Sequence, residues 1–285
     1  HQIELTPVGA RSPIPVLEPE EIEAPLDRGP CDTQWFNGRI LLPFNDRIPR
    51  GRYNWDGVAY QLAVNDSDSD CALHGALYRL PTTVTSIENG PAECKLNLER
   101  TIAASDIQGY PFELQVGLTY RLRGDSFQLG VTVRNDGTHA APVSLGWHPY
   151  FRLPGTLAET KLKLPADAYV AVDDQLIPTG KTPSLAGTPF DFRDFKPIGE
   201  QQIDLAFKTR SGPAILSAGG HHISIETNGI FKYLQVFTPP DRRSIAIEPV
   251  TAATNAFNIP DLGLQRLVPG ASLVGVVTIR LSTAN

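Results

Sequence analysis

The sequence predicts an all-β protein, built as a large antiparallel β-sandwich. Three observations carry this expectation. Runs of period-two alternation recur along most of the 285 residues. The 24 glycines and 25 prolines fall between those runs and supply turn chemistry. No sustained 3.6-residue apolar stripe accompanies them, as a helical protein would require.

The clearest elements lie mid-chain. Phe112, Leu114, Val116, Leu118, Tyr120 and Leu122 place six apolar side chains on one strand face. Phe127, Leu129, Val131 and Val133 do the same after a turn at Gly124-Asp125. The two runs predict a long hairpin, followed by another turn at Asn135-Asp136-Gly137. Further strands are expected at 60–64, 94–103, 143–151, 160–164, 168–172, 222–227, 233–237, 244–249 and 273–281. So many short strands with turns between them point to a sandwich or a barrel. Residues 1–36 differ, because SPIPVLEPEEIEAPLDRGP is rich in Pro and Glu and does not alternate. They are expected to form an extended arm along the surface, or a remnant of first strands. Residues 37–285 read as one domain, since no second linker-like segment interrupts them.

Composition removes several function classes. The formal net charge is −6 and no basic block occurs, which argues against nucleic acid or an anionic membrane as partner. The apolar run LVGVVTI is far too short to span a bilayer. Cys31, Cys71 and Cys94 are an odd number without metal spacing. They predict free thiols in a reducing compartment, and hence a cytoplasmic protein. No HxH, HExxH or CxxC spacing occurs, so no metal is expected. Without a P-loop, GxGxxG or GxSxG, neither a nucleotide cofactor nor serine hydrolysis has support.

Five short stretches hold residues that can do chemistry. In GWHPYFRL, strand phase puts Leu145 and Trp147 on one face and Gly146, His148 and Tyr150 on the other. His148 therefore shares a face with a glycine that leaves room and a tyrosine that can stack on a ligand. Taken alone, a core histidine bonded to a carbonyl is the commoner outcome. In SIAIEPV, Ile245 and Ile247 face one way, Ala246 and Glu248 the other, and Pro249 is expected to end the ladder. A carboxylate in an apolar strand needs a polar cleft or a solvated strand end. His74 precedes Gly75, which permits close backbone approach, although a plain turn histidine fits equally. Arg47 sits in a Pro-bounded turn and can clamp hydroxyls or a carboxylate. Asp204 interrupts Ile203 and Leu205, in a site or as a turn cap.

The order of these stretches is more specific than any one of them. GRILLPFNDRIPRGRY, LHG, GWHPYFRL, LIPTGKTPSLAGTPFDFR, IDLAF and IAIEPVTAATNAFN follow one another in a pattern that resembles the aldose 1-epimerase (galactose mutarotase) family. The resemblance covers roughly residues 37–281. It implies a galactose mutarotase-like supersandwich and an isomerase interconverting the α and β anomers of a hexose, without cofactor or metal. It implies that His148 is a general acid, Glu248 the base, and His74 a second histidine near the ring oxygen. Arg47 and Asp204 would hold hydroxyls, with Trp147 and Tyr150 shaping the pocket. The chain departs from the family where the usual Pro-Asn-Arg turn reads Asn45-Asp46-Arg47, and where no arginine follows His74 closely.

The implied reaction is modest. A cyclic hemiacetal loses its C1 hydroxyl proton, gains one on the ring oxygen, opens, rotates and recloses. One acid and one base on opposite sides suffice, and each typically contributes about 10²–10⁴-fold. Reference pKa values of about 4.3 and 6.5 leave a window in which the carboxylate and imidazolium coexist, and pairing is expected to widen it. Three alternatives stay open. A hexose 6-phosphate 1-epimerase could use Arg47, Arg50, Arg52, Arg79, Arg242 or Arg243 for the phosphate. A glycoside hydrolase or lyase could use Asp204 with Glu248 as a carboxylate pair. A non-catalytic carbohydrate-binding protein would keep the fold alone.

Overall fold

The computed structural model describes residues 3–8, 12–18 and 36–284. Two antiparallel sheets face each other. The larger has nine strands in the order Lys196–Pro197, Lys161–Lys163, Ala214–Ala218, His221–Thr227, Ser272–Thr283, Ser126–Asn135, Leu114–Leu122, Cys94–Ile102 and Thr83–Asn89. The smaller runs Ala166–Tyr169, Asp204–Thr209, Tyr233–Phe237, Ile245–Val250, Gly146–His148 and Arg39–Leu41. Tyr150–Phe151 also pairs with Ile245–Val250, on the same side as Gly146–His148.

The mid-chain hairpin forms as its alternation predicts, with Leu114 opposite Asn135 and Leu122 opposite Phe127. Leu114, Val116, Leu129 and Val133 are wholly buried by it. Each such side chain removed from water contributes roughly 1.5–3 kcal/mol. From the smaller sheet Trp147, Phe151, Phe207, Leu234, Val236, Ile245 and Ile247 point into the same core. Trp147 meets Phe127 of the larger sheet with ring centroids 5.9 Å apart. The smaller sheet's other face carries a separate cluster of Val170, Ala206, Tyr233, Val250 and Ala253. That second face is where polar side chains gather.

Two expectations need correction, and the described parts of the N-terminal segment take the form of short strands. Glu4–Leu5 pairs with Ile14–Pro15, and Leu5, Val16 and Leu17 are buried. Leu17 bridges to Phe151, so these residues extend the sheet at Tyr150–Phe151; residues 19–35 lie outside the described residues. The single strand expected over 143–151 is three pieces, Ala141–Val143, Gly146–His148 and Tyr150–Phe151. Pro249 does not end its ladder, because it pairs with Leu234 and the strand continues to Val250. It is tolerated because the strand on its other flank is itself interrupted there.

Cys71 is buried and Cys94 exposed, and both are free thiols as expected, while Cys31 lies outside the described residues. Among the described residues no helix is long and apolar enough to cross a membrane.

Candidate active site

Strand register builds the centre of the site. Gly146 lies opposite Val250, and Tyr150 opposite Ala246. The position midway between sets His148 directly across from Glu248. On the far side, Glu248 faces Gln235, and Gln235 faces Ala206. Cross-strand partners share a sheet face, so His148, Glu248 and Gln235 form one row on the face away from the core. His148 Nε2 lies 3.3 Å from Glu248 Oε1, and both side chains are buried. Tyr150, two residues on, stacks on the His148 ring with centroids 5.0 Å apart. It supports the histidine rather than offering an open face to a ligand.

Two turns close over this row. Asp46 adopts φ 59°, a left-handed conformation that Asp tolerates better than most residues. Asn45 anchors the turn through Nδ2 to the Ala252 carbonyl at 2.7 Å, and its N–H donates to Ser144 Oγ. A side chain at Gly146 would stand 3.0 Å from Asn45 Cβ and from Val250 Cγ1. The room left by this glycine is thus taken by the turn, not kept for a ligand. The second turn is His74-Gly75, with both residues at positive φ. A Cβ on Gly75 would sit 2.2 Å from the Leu42 carbonyl oxygen, so only glycine fits.

The second turn swings His74 back over the first. The Asp46 N–H donates to His74 Nδ1 at 3.1 Å, and the His74 N–H donates to the Asp46 carbonyl at 3.1 Å. An Nδ1 that accepts leaves the ring proton on Nε2. His74 meets His148 edge-on with centroids 5.3 Å apart, and Phe36 covers His74 at 4.6 Å.

Charge is concentrated beside this pair. Thr254 Oγ1 donates to Asp46 Oδ2, and Arg47 donates to Asp46 Oδ1 through its backbone N–H at 2.8 Å and Nη1 at 3.3 Å. Gln235 Nε2 donates to Asp204 Oδ1 at 2.6 Å. Asp46, Arg47, Asp204, Gln235 and Thr254 line a single cleft with Val170, Val172 and Leu176.

Burial sets the protonation states. It pushes His74 down to about 3, helped by Arg47, so this ring is neutral. It pushes His148 well below the ordinary imidazole value, with His74 adding to the effect. It pushes Glu248 well above the carboxylate range, reinforced by Asp46 and Asp204. Asp204 rises to about 6, through burial and then Asp46. Burial works against the charge of Arg47, but Asp46, Asp204 and Asp66 outweigh it and raise its pKa. The expected widening of an imidazolium–carboxylate window is therefore not what burial favours. Desolvation penalises both charged forms, and His148 with Glu248 is best described as a pair holding one proton. Nor do the two stand on opposite sides of a gap: they are adjacent.

His148, Glu248, His74, Arg47, Asp204 and Tyr150 all come together here. Trp147 does not. It is 3% exposed on the core face, and its Nε1 donates to the Gly38 carbonyl at 3.2 Å. Asp46, Gln235, Thr254 and Phe36 escaped the sequence reading. Gln235 was findable only with the register known, while the Asp46 carboxylate marks the departure already visible in Asn45-Asp46-Arg47. Among the described residues no group of three or more His, Cys, Asp or Glu is arranged to hold a metal ion.

Residues 28–280 match the family model for aldose 1-epimerase. The chain belongs to the aldose 1-epimerase family. Members of this family are carbohydrate epimerases. Human galactose mutarotase is 32% identical over 196 residues, which take in 66% of this chain and 53% of the human protein. Escherichia coli YihR is 28% identical over 227 residues, covering 78% of this chain and 71% of YihR. The chain thus spans about half the length of the mammalian galactose mutarotases it matches. In architecture it is similar to a galactose mutarotase-like protein from Clostridium acetobutylicum, with TM-score 0.84, 18% identity, and coverage of 95% of this chain and 86% of the other. An aldose epimerase homologue from C. elegans gives TM-score 0.83 at 20% identity, covering 100% and 92%. At those identities the likeness is one of fold.

Proposed function

We propose that the protein is an aldose 1-epimerase that interconverts the α and β anomers of an unphosphorylated aldose. The observation that carries this is the His148–Glu248 pair, 3.3 Å apart on the polar sheet face. The two oxygens that exchange protons in mutarotation, O1 and O5, are bonded to the same carbon. Adjacent acid and base therefore suit this reaction better than a wide separation would.

From the form of the pair in which the shared proton sits on His148, Glu248 takes the proton of the C1 hydroxyl while His148 delivers the shared proton to O5. The C1–O5 bond breaks, C1–C2 turns, and the ring recloses with both transfers reversed. The pair begins and ends with one proton, so each turnover resets it. Because the proton count of the pair is fixed, its activity limits are properties of the pair rather than of either residue. His74, held neutral with its proton on Nε2, donates towards the ring oxygen. Arg47 and Asp204 hold hydroxyls farther along the ring, and Tyr150 keeps the His148 ring in place. Two carboxylates, Asp46 and Asp204, against the single Arg47 in the inner cleft favour a neutral sugar over a phosphorylated one.

The test is polarimetry on freshly dissolved α-glucose and α-galactose. Glu248→Gln and His148→Asn should each lower the rate by about 10²–10⁴-fold. Near wild-type rates in both variants would sink the proposal.

A further inference from the structure

We propose that Asp46 is a positioning residue: by occupying the guanidinium of Arg47 it excludes anionic sugars, uronic acids included, from the cleft. The inference rests on the epimerase reading, in which Arg47 holds hydroxyls of the sugar.

Asp46 stands where the chain departs from the Pro-Asn-Arg turn of its family. Its main chain and its side chain do separate things. The main chain holds His74, with the Asp46 N–H donating to Nδ1 and the Asp46 carbonyl accepting from the His74 N–H, both at 3.1 Å. The side chain holds Arg47. Its Oδ1 accepts from Arg47 twice, from the N–H at 2.8 Å and from Nη1 at 3.3 Å, while Oδ2 accepts from Thr254 Oγ1. Asp46 is buried, and both of its oxygens are in use before a sugar arrives.

Arg47 lines the inner cleft together with Asp46 and Asp204. An unoccupied guanidinium at this place would grip a carboxylate or phosphate with two parallel N–H groups. Neither way of doing so is open. The end-on fork needs Nη1, which Asp46 holds, and the side-on fork needs Nε, which faces Asp66 Oδ2 at 3.9 Å. A sugar hydroxyl needs only one donor and is not repelled. A carboxylate meets Asp46 and Asp204 beside a cation that is already paired. Like charges set against a ligand in this way discriminate against it.

The two cleft carboxylates are not equivalent. Among the described residues the ion pairs of Arg47 are with Asp46 and Asp66, and Asp204 accepts from Gln235 instead. Neutralising Asp204 removes one negative charge from the cleft and leaves Arg47 occupied. Neutralising Asp46 removes one charge and releases Arg47 as well. Asparagine is the suitable replacement at Asp46. It is close in size, tolerates the φ of 59°, and its Oδ1 can still accept the Arg47 N–H.

The experiment compares glucuronate with glucuronamide, which has nearly the same shape without the charge. Both are titrated into the intact protein by NMR at pH 7.5, beside polarimetry on both and on glucose. Wild type should bind glucuronamide about 10²-fold tighter than glucuronate. Asp46→Asn should cut that ratio by about tenfold or more. Asp204→Asn should cut it by no more than about threefold, because both sugars lose the same acceptor there. A wild-type ratio near one overturns the proposal, as does binding of neither sugar. So does a ratio that Asp46→Asn leaves unchanged, or one that the two variants lower equally, which would make net charge responsible rather than Asp46. Asp46→Ser repeats the test with a second uncharged side chain; a chain that unfolds with both replacements makes Asp46 a structural residue and also overturns the proposal. Absence of mutarotation on every sugar is a separate result. It removes the epimerase reading, while the Kd ratios still decide what Asp46 does.

Discussion

Asp204 gives the sharpest test of the electrostatics. Its carboxyl is pushed up to about 6 from an ordinary 3.8, first by burial and then by Asp46. A carboxylate whose folded pKa is raised keeps its proton on folding between those two values. The folded state then binds more protons than the unfolded chain, so stability falls as pH rises through the window from about 4 to about 6 and is level above it. At about 1.36 kcal/mol per pH unit the gap amounts to about 3 kcal/mol. Asp204 is only half-buried by surface area, and solvent screening reduces this to about 1–2 kcal/mol. Asp204→Asn removes the charge and keeps an Oδ1 to accept from Gln235 Nε2. The variant should match wild type near pH 4 and exceed it by about 1–2 kcal/mol at pH 7.5, in urea unfolding at both values. At the same time its KM for sugar should rise, since a hydroxyl loses an anionic acceptor. A stability difference that is the same at pH 4 and 7.5, or that favours wild type at 7.5, would refute the reasoning.

Other outcomes follow from the same geometry. Gly75→Ala should lower stability by about 2 kcal/mol or more, from positive φ and the Leu42 carbonyl 2.2 Å from the new methyl; thermal unfolding measures it. Trp147→Phe should lower stability by about 1–3 kcal/mol through lost core packing and leave the sugar KM within about twofold; a KM that rises tenfold at unchanged stability would return Trp147 to the site. His74, neutral down to about pH 3, should show imidazole NMR shifts that stay flat from pH 4.5 upward, with Nε2 protonated throughout.

The sandwich was legible where strands alternate over many residues, as at Leu114–Leu122 and Ser126–Asn135. It was less legible in Asp204–Thr209 and Ala214–Ala218, which are short and carry no strict alternation. The interruption at Pro149 and the continuation through Pro249 depend on each strand's neighbours, which no single strand reveals. In the site, strand phase correctly separated His148 and Glu248 from the core-facing Ile245 and Ile247. The same phase had already turned Trp147 away; only its place next to His148 in GWHPYFRL drew it into the pocket. The protonation states were not legible. Reference pKa values describe solvated groups, and here desolvation exceeds the attraction of the pair.

The cross-strand position of His148 and Glu248 separates two kinds of change. The pair is fixed by the ladder at the centre of the smaller sheet, whereas Asp46, His74 and Thr254 come from turns laid over it, and Arg47 from the short strand Arg47–Pro49 that follows the first turn. Residues in the turns can be exchanged, and the turns lengthened or reshaped, without moving either member of the pair. A one-residue slip of Ile245–Val250 does the opposite: it sends Glu248 into the hydrocarbon interior. Engineering for a different sugar therefore belongs in the turns, and the ladder is the part to leave untouched.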